Sequence, residues 1–182
     1  MFAVEKYTVD KNAEDVAMEM IQAQGDYHKM GSGSYGAVYG SRNSNIVYKI
    51  GNARNNDGYL AFIKVLAKQK KHNPFLPEIY GVRFIEDQHG NEYFVVAMER
   101  LQELPNQLYD ATNFLRVYIE NNDDMSGAKD LGVEIKVPAA LKQAIKVAET
   151  ARKSAKYADW DLYACNFMVR DAKQIVMTDP LC

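Results

Sequence analysis

Three glycines in Gly31-Ser32-Gly33-Ser34-Tyr35-Gly36 lie between strand-forming stretches, and that setting restricts the possible folds more than any other feature. Tyr35, Val38 and Tyr39 favour extended chain, so residues 27–30 and 37–40 read as the arms of a hairpin with a glycine-rich tip. A dinucleotide-binding turn needs a helix straight after the glycines. The residues that follow, Ala37-Val38-Tyr39-Gly40-Ser41-Arg42-Asn43, do not make one. A nucleotide-triphosphate loop of the other common kind needs Gly-Lys-Ser/Thr, and no Lys follows Gly36. Two readings remain: a plain hairpin tip, or a flap whose backbone comes close enough to aim its N–H groups at phosphates.

Composition narrows the class. At 182 residues the chain is about one domain. Its 22 basic and 24 acidic residues give a formal charge of −2, which supplies no general attraction to nucleic acid or anionic membranes. No apolar run reaches the roughly 18 residues that a spanning helix needs. The first twenty residues are acidic and interrupted, unlike a secretory signal. Only Cys165 and Cys182 are present, which argues for a reducing, cytoplasmic setting. His28, His72 and His89 are scattered, with no CxxC or HExxH, which argues against zinc.

The rest of the chain supports an α+β order. Helical spacing predicts helices over 11–24, 59–71, 107–120 and 138–157. Asp10 or Asn12 would cap the first, Val16, Met20 and Ala13 would share one inward face, and the helix would pack over a sheet edge. Strands are predicted over 45–50, 79–86, 92–99, 167–170 and 174–178, with a polar loop over 121–130. Composition shifts from strand-rich to helical near Glu99.

Four features could carry chemistry. The first is the glycine run with Val38. The second is Lys49, thirteen residues after Gly36, in the apolar strand Ile46-Val47-Tyr48-Lys49-Ile50. Under a phosphate flap its ammonium would meet phosphate oxygens; on a sheet edge it would simply reach solvent. The third is Asp161-Leu162-Tyr163-Ala164-Cys165-Asn166. Asp161 could accept the proton of an attacking hydroxyl, and Asn166 could offer an oxygen to a metal ion. The structural alternative is a polar turn, and Cys165 reads as a small buried thiol. The fourth is Asp179, an acid after the apolar strand Ile175-Val176-Met177-Thr178, able to complete a magnesium site.

In this order and spacing, the four features resemble the protein-kinase-like superfamily over roughly residues 27–180. Gly31, Gly33, Gly36 and Val38 match its glycine-rich loop, with Ser34 at the tip. Lys49 matches the nucleotide-anchoring lysine. Met98-Glu99-Arg100-Leu101 looks like its hinge, which places Glu99 and Leu101 beside adenine. Asp161, Leu162 and Asn166 match the catalytic loop, and Asp179 matches the metal-binding aspartate. Tyr59-Leu60-Ala61-Phe62 and Thr178-Asp179-Pro180 are similar to segments of the early host-shutoff Ser/Thr kinases of short-tailed bacteriophages.

The resemblance implies a single two-lobed, kinase-like domain. Residues 1–26 would form a helical extension, 27–100 an antiparallel-sheet N-lobe and 101–182 a truncated, mainly helical C-lobe. It implies ATP and Mg²⁺ as cofactors and host bacterial proteins as substrates, with self-association as a dimer left open. Departures are visible too. Asp159-Trp160-Asp161 stands for the usual His-Arg-Asp, and Asp179-Pro180-Leu181 for Asp-Phe-Gly. The helix after Lys49 lacks the usual Glu, leaving Asp179, Asp57 or Glu19 as partners for Lys49. The chain ends three residues past Asp179, without an activation segment. Two further functions therefore accompany the active kinase: a catalytically weak scaffold that binds and inhibits a host enzyme, and a small-molecule kinase.

Overall fold

The structure is a computed structural model that describes residues 3–33, 36–55, 57–121 and 137–182. Ser34, Tyr35 and residues 122–130 of the expected polar loop lie outside them. The elements run β1 (Ala3–Val9), α1 (Ala13–Gln22), β2 (His28–Gly33), β3 (Gly36–Gly40), β4 (Ile46–Asn52), α2 (Asp57–Leu66), β5 (Ile79–Asp87) and β6 (Glu92–Glu99). They continue β7 (Gln102–Glu103), α3 (Tyr109–Glu120), α4 (Ala139–Ser154), β8 (Phe167–Arg170) and β9 (Gln174–Met177). The class is mixed α+β. A six-stranded sheet has the order β1-β5-β6-β4-β3-β2, and a three-stranded sheet has the order β7-β8-β9.

The larger sheet is not wholly antiparallel, as the sequence had suggested. β1 runs parallel to β5, in register from Ala3 opposite Gly81 to Val9 opposite Asp87. The first 26 residues are thus a strand followed by a helix, not a helical extension alone. Val4, Lys6, Tyr7 and Thr8 are exposed, so the strand carries little of the apolar alternation by which strands are read. Backbone pairing holds it, with Arg83 and Glu5 joined at 2.9 Å across the edge.

α1 begins where Asn12 Oδ1 accepts from the backbone N–H of Glu14 and Asp15, at 2.8 and 3.2 Å. Its fully buried line is the expected Ala13 together with Ala17 and Ile21, while Val16 and Met20 are half-buried against the same core. The two alanines let the helix lie close to Ile50, Ile85 and Val95, on a face of the sheet and not over its edge.

α2 covers the opposite face with Tyr59, Leu60, Phe62, Ile63 and Leu66, and packs on α4. It stops at Leu66, short of the expected residue 71. Lys68 N–H donates to Val65 O and Gln69 N–H to Leu66 O, tightening the last turn, and the lysines beyond offer nothing to bury. α4 buries Leu141, Ile145 and Ala148 as its spacing predicts. One core runs unbroken from Val47, Phe94 and Val96 through α2 and α4 to Leu162, Val169 and Leu181. Among the described residues, no helix is long and apolar enough to cross a membrane.

Candidate functional site

Register decides which face Lys49 takes. It stands opposite Val38 on β3 and Val96 on β6. Directly paired residues project to the same side of a sheet, and Val38 and Val96 belong to the core beneath α2. Lys49 therefore enters the molecule between the glycine hairpin and α2, not the sheet edge. Its side chain is 16% exposed.

There the ammonium donates to Asp179 Oδ2 at 2.6 Å, a contact spanning 130 residues of sequence. Of the three acids left open by the sequence, Asp179 is the partner. Asp57 and Glu19 make no ion pair with Lys49; Glu19 is on α1, across the sheet, where it meets Lys11. The other oxygen, Asp179 Oδ1, is buried and has no hydrogen-bond partner among the described residues. Burial pushes the Asp179 carboxyl above the ordinary aspartate range, Lys49 pulls it down, and the charge of Asp161 adds to the upward push.

Backbone bonds fix the strand end that carries Asp179. The Asn166 carbonyl accepts from Thr178 N–H at 2.9 Å and from Thr178 Oγ1 at 2.8 Å. Asp161 N–H donates to Pro180 O at 2.8 Å, and Trp160 bridges to Leu181. Asp159 and Cys182 exchange backbone bonds at 3.0 and 3.1 Å. This two-way pairing braces the loop around Asp159. Pro180 and Leu181 are buried, and a Cβ on Gly58 of α2 would lie 3.0 Å from Leu181 Cβ and Cys182 O. Glycine at that position lets the segment beyond Asp179 seat against the start of α2.

Asp161 and Asn166 are joined directly: Asn166 Nδ2 donates to the Asp161 carbonyl at 2.8 Å. That bond orients the amide and leaves Asn166 Oδ1 available as an oxygen ligand. The predicted residues Lys49, Asp161, Asn166 and Asp179 thus converge. The donor set of two side-chain oxygens, one an orphaned carboxylate oxygen, fits a hard divalent cation completed by phosphate and water.

The glycines divide. A Cβ on Gly36 would fall 2.4 Å from Ile50 O, so strand pairing itself demands glycine there. Gly31 and Gly33 are exposed, and a Cβ on either would meet nothing within 4 Å. Ser34 lies outside the described residues. Cys165 is exposed, which corrects its reading as a buried thiol.

Two residues that sequence reasoning missed complete the picture. The Lys49 ammonium sits 3.6 Å from the ring centroid of Tyr59, which is 2% exposed. A charge-pairing pattern in the sequence points only to acids, and an aromatic ring carries no such signal. Arg170, at the end of an apolar strand, pairs with Glu99: Nε donates to Oε2 at 2.9 Å and Nη2 to Oε1. It also donates to the carbonyls of Pro74 at 2.7 Å and Leu76 at 3.1 Å. The Glu99 side chain is therefore held by the protein, so only its backbone could serve a ligand. Leu101 is half-buried beside it.

Two cavities, of about 380 and 520 Å³, lie elsewhere, lined respectively around His72 and Tyr80 and around Phe75 and Phe114. Neither is lined by Lys49, Asp161, Asn166 or Asp179, and the charged convergence, not cavity size, marks the site. No protein-family model matches the chain, and a search of curated proteins found no match.

Proposed function

We propose that this chain is a minimal, two-lobed protein-kinase-like phosphotransferase that moves the γ-phosphoryl group of Mg-ATP to Ser or Thr hydroxyls of host bacterial proteins. The observation that carries the reading is the Lys49–Asp179 pair beneath the glycine hairpin, with Asp179 Oδ1 buried and unpartnered. A purely structural ion pair would gain from satisfying both carboxylate oxygens, because a buried polar atom without a partner is costly. A buried carboxylate oxygen with no partner among the described residues, on a group that also feels the charge of Asp161, suits a cation better.

In this reading the backbone of Gly31 and Gly33 approaches the phosphates, and Lys49 neutralises them as a point charge. Adenine lies against the Glu99–Leu101 backbone and Val38. Asn166 and Asp179 would hold Mg²⁺, which supplies charge neutralisation at the phosphate oxygens. Asp161 accepts the acceptor hydroxyl's proton as its oxygen bonds to the γ-phosphorus. The bond from that phosphorus to the bridging β,γ-oxygen breaks, and ADP departs with the electron pair.

The test is transfer from γ-labelled ATP into the protein itself and into a bacterial lysate. Asp161→Asn is expected to lower transfer by about 10²–10⁴-fold. Absence of label with wild type in every mixture would sink the reading and leave the scaffold that binds a host enzyme.

A further inference from the structure

We infer that Tyr59 is a positioning residue for Lys49, its buried ring face holding the ammonium where a kinase-like helix ordinarily offers a carboxylate. The inference rests on the proposed nucleotide site. Lys49 is committed to Asp179 Oδ2 at 2.6 Å, and among the described residues no second carboxylate pairs with it. If Asp179 turns toward a cation and phosphates arrive, Lys49 must change its hydrogen-bond partner without leaving the site. A ring face permits that. It attracts the positive charge without dictating which oxygen the N–H groups meet, and the attraction is strongest away from water.

The geometry separates the ring from its hydroxyl. The Tyr59 hydroxyl contacts Met98 Sδ at 4.0 Å, a weak partner in the core. Burial, with help from Asp179, holds the phenol well above its ordinary range, so it stays neutral and is no counter-ion. Phe94 packs against Tyr59 with centroids 5.7 Å apart and fixes the plane of the ring. Tyr59 also opens the buried face of α2, one residue after Gly58, where the segment following Asp179 seats. One helical turn thus sets both the ring under Lys49 and the backbone behind Asp179.

Two measurements test this, with MgADP as the probe. The first is the NMR signal of the Lys49 ε-methylene protons, assigned with Lys49→Arg. A ring this close shifts it upfield whether or not nucleotide binds. The second is MgADP affinity by calorimetry for wild type, Tyr59→Phe, Tyr59→Leu, and position 59 carrying mono-, di- or trifluorinated phenylalanine.

Tyr59→Phe should keep the upfield shift and bind within about twofold of wild type, because the ring face remains. Tyr59→Leu should lose the shift and bind about tenfold more weakly, because only the part of the cation–π attraction that replaces Asp179 once the carboxylate turns to the cation counts toward affinity. The fluorinated series keeps the packing while draining the ring face, so affinity should fall stepwise with each fluorine even if Tyr59→Leu does not fold. An unshifted Lys49 signal in wild type, or equal affinity across the fluorinated series, overturns the inference and leaves the nucleotide site standing. No MgADP binding by folded wild type overturns the nucleotide reading and this inference with it.

Discussion

Arg170 shows how much one side chain can settle. Its guanidinium spans Glu99 and the carbonyls of Pro74 and Leu76, so it joins β8, the end of β6 and the chain entering β5. Both partners of the ion pair are largely buried, at 20% and 12% exposed. Arg170→Ala would strand the Glu99 carboxylate, and unfolding in urea should report a loss of about 3–5 kcal/mol. Arg170→Lys should recover only part of that, because an ammonium cannot reproduce the planar fork. An Arg170→Lys variant as stable as wild type would mean that charge alone, and not geometry, holds this junction. Gly36 makes a complementary point. The residue fits a phosphate-loop pattern, yet the carbonyl of Ile50 alone already forbids a side chain there.

At the scale of elements, the β5–β6 turn is tied by Asp87. Its Oδ1 accepts from His89 N–H and Asn91 N–H, both at 2.9 Å, and its Oδ2 accepts from Asn91 Nδ2 at 3.0 Å. The Asn91 amide leads in holding the carboxyl below the ordinary aspartate range; the backbone of Asn91, His89 and Ala13, the first residue of α1, adds to it. A depressed folded value means that the stabilisation is complete above the unfolded value and fades as pH falls through the folded one. Wild type should therefore melt above Asp87→Asn at pH 6, and the gap should narrow as pH falls below about 4. A gap that is constant across that range would show that the carboxylate's charge contributes nothing to the turn.

At the scale of the whole molecule, β1 is an edge strand of the six-stranded sheet, and its largely polar, solvent-facing side chains shield the more apolar β5 behind it. Without it the N–H and C=O groups along one side of β5 would be open to pairing with another chain. Removing residues 1–9 should lower the melting temperature and promote concentration-dependent self-association in light scattering. A truncated protein that stays monomeric at the same concentration would mean that another segment guards this edge. The lateral ion pairs of Lys6 with Glu86 and Glu92 hold an exposed lysine and add little, so Lys6→Ala alone should leave the melting temperature close to that of wild type.

Much of this architecture was legible from local pattern. β6 and β8 fall on their expected residues, and α4 buries the line its spacing marks, because apolar periodicity reports which side chains leave water. The loop residues Asp161 and Asn166, the strand residue Lys49, and Asp179 just past β9 are likewise legible as types at intervals. β1 was not, since backbone pairing holds it while its side chains stay in solvent. In α1, Ala17 is the buried residue that pattern does not reveal, because alanine carries little hydrophobic signal yet allows close approach to a sheet.

Local pattern supplies the inventory: the α+β order, the glycine hairpin, and which charged and amide groups are available. Their pairing comes from the fold. Asp179 rather than Asp57 or Glu19 meets Lys49, a tyrosine ring lies under that ammonium, and Arg170 takes the side chain of Glu99. Sequence spacing encodes which face a residue leaves by. The partner it finds there, up to 130 residues away, is set by strand register and by how closely α2 seats against the chain beyond Asp179.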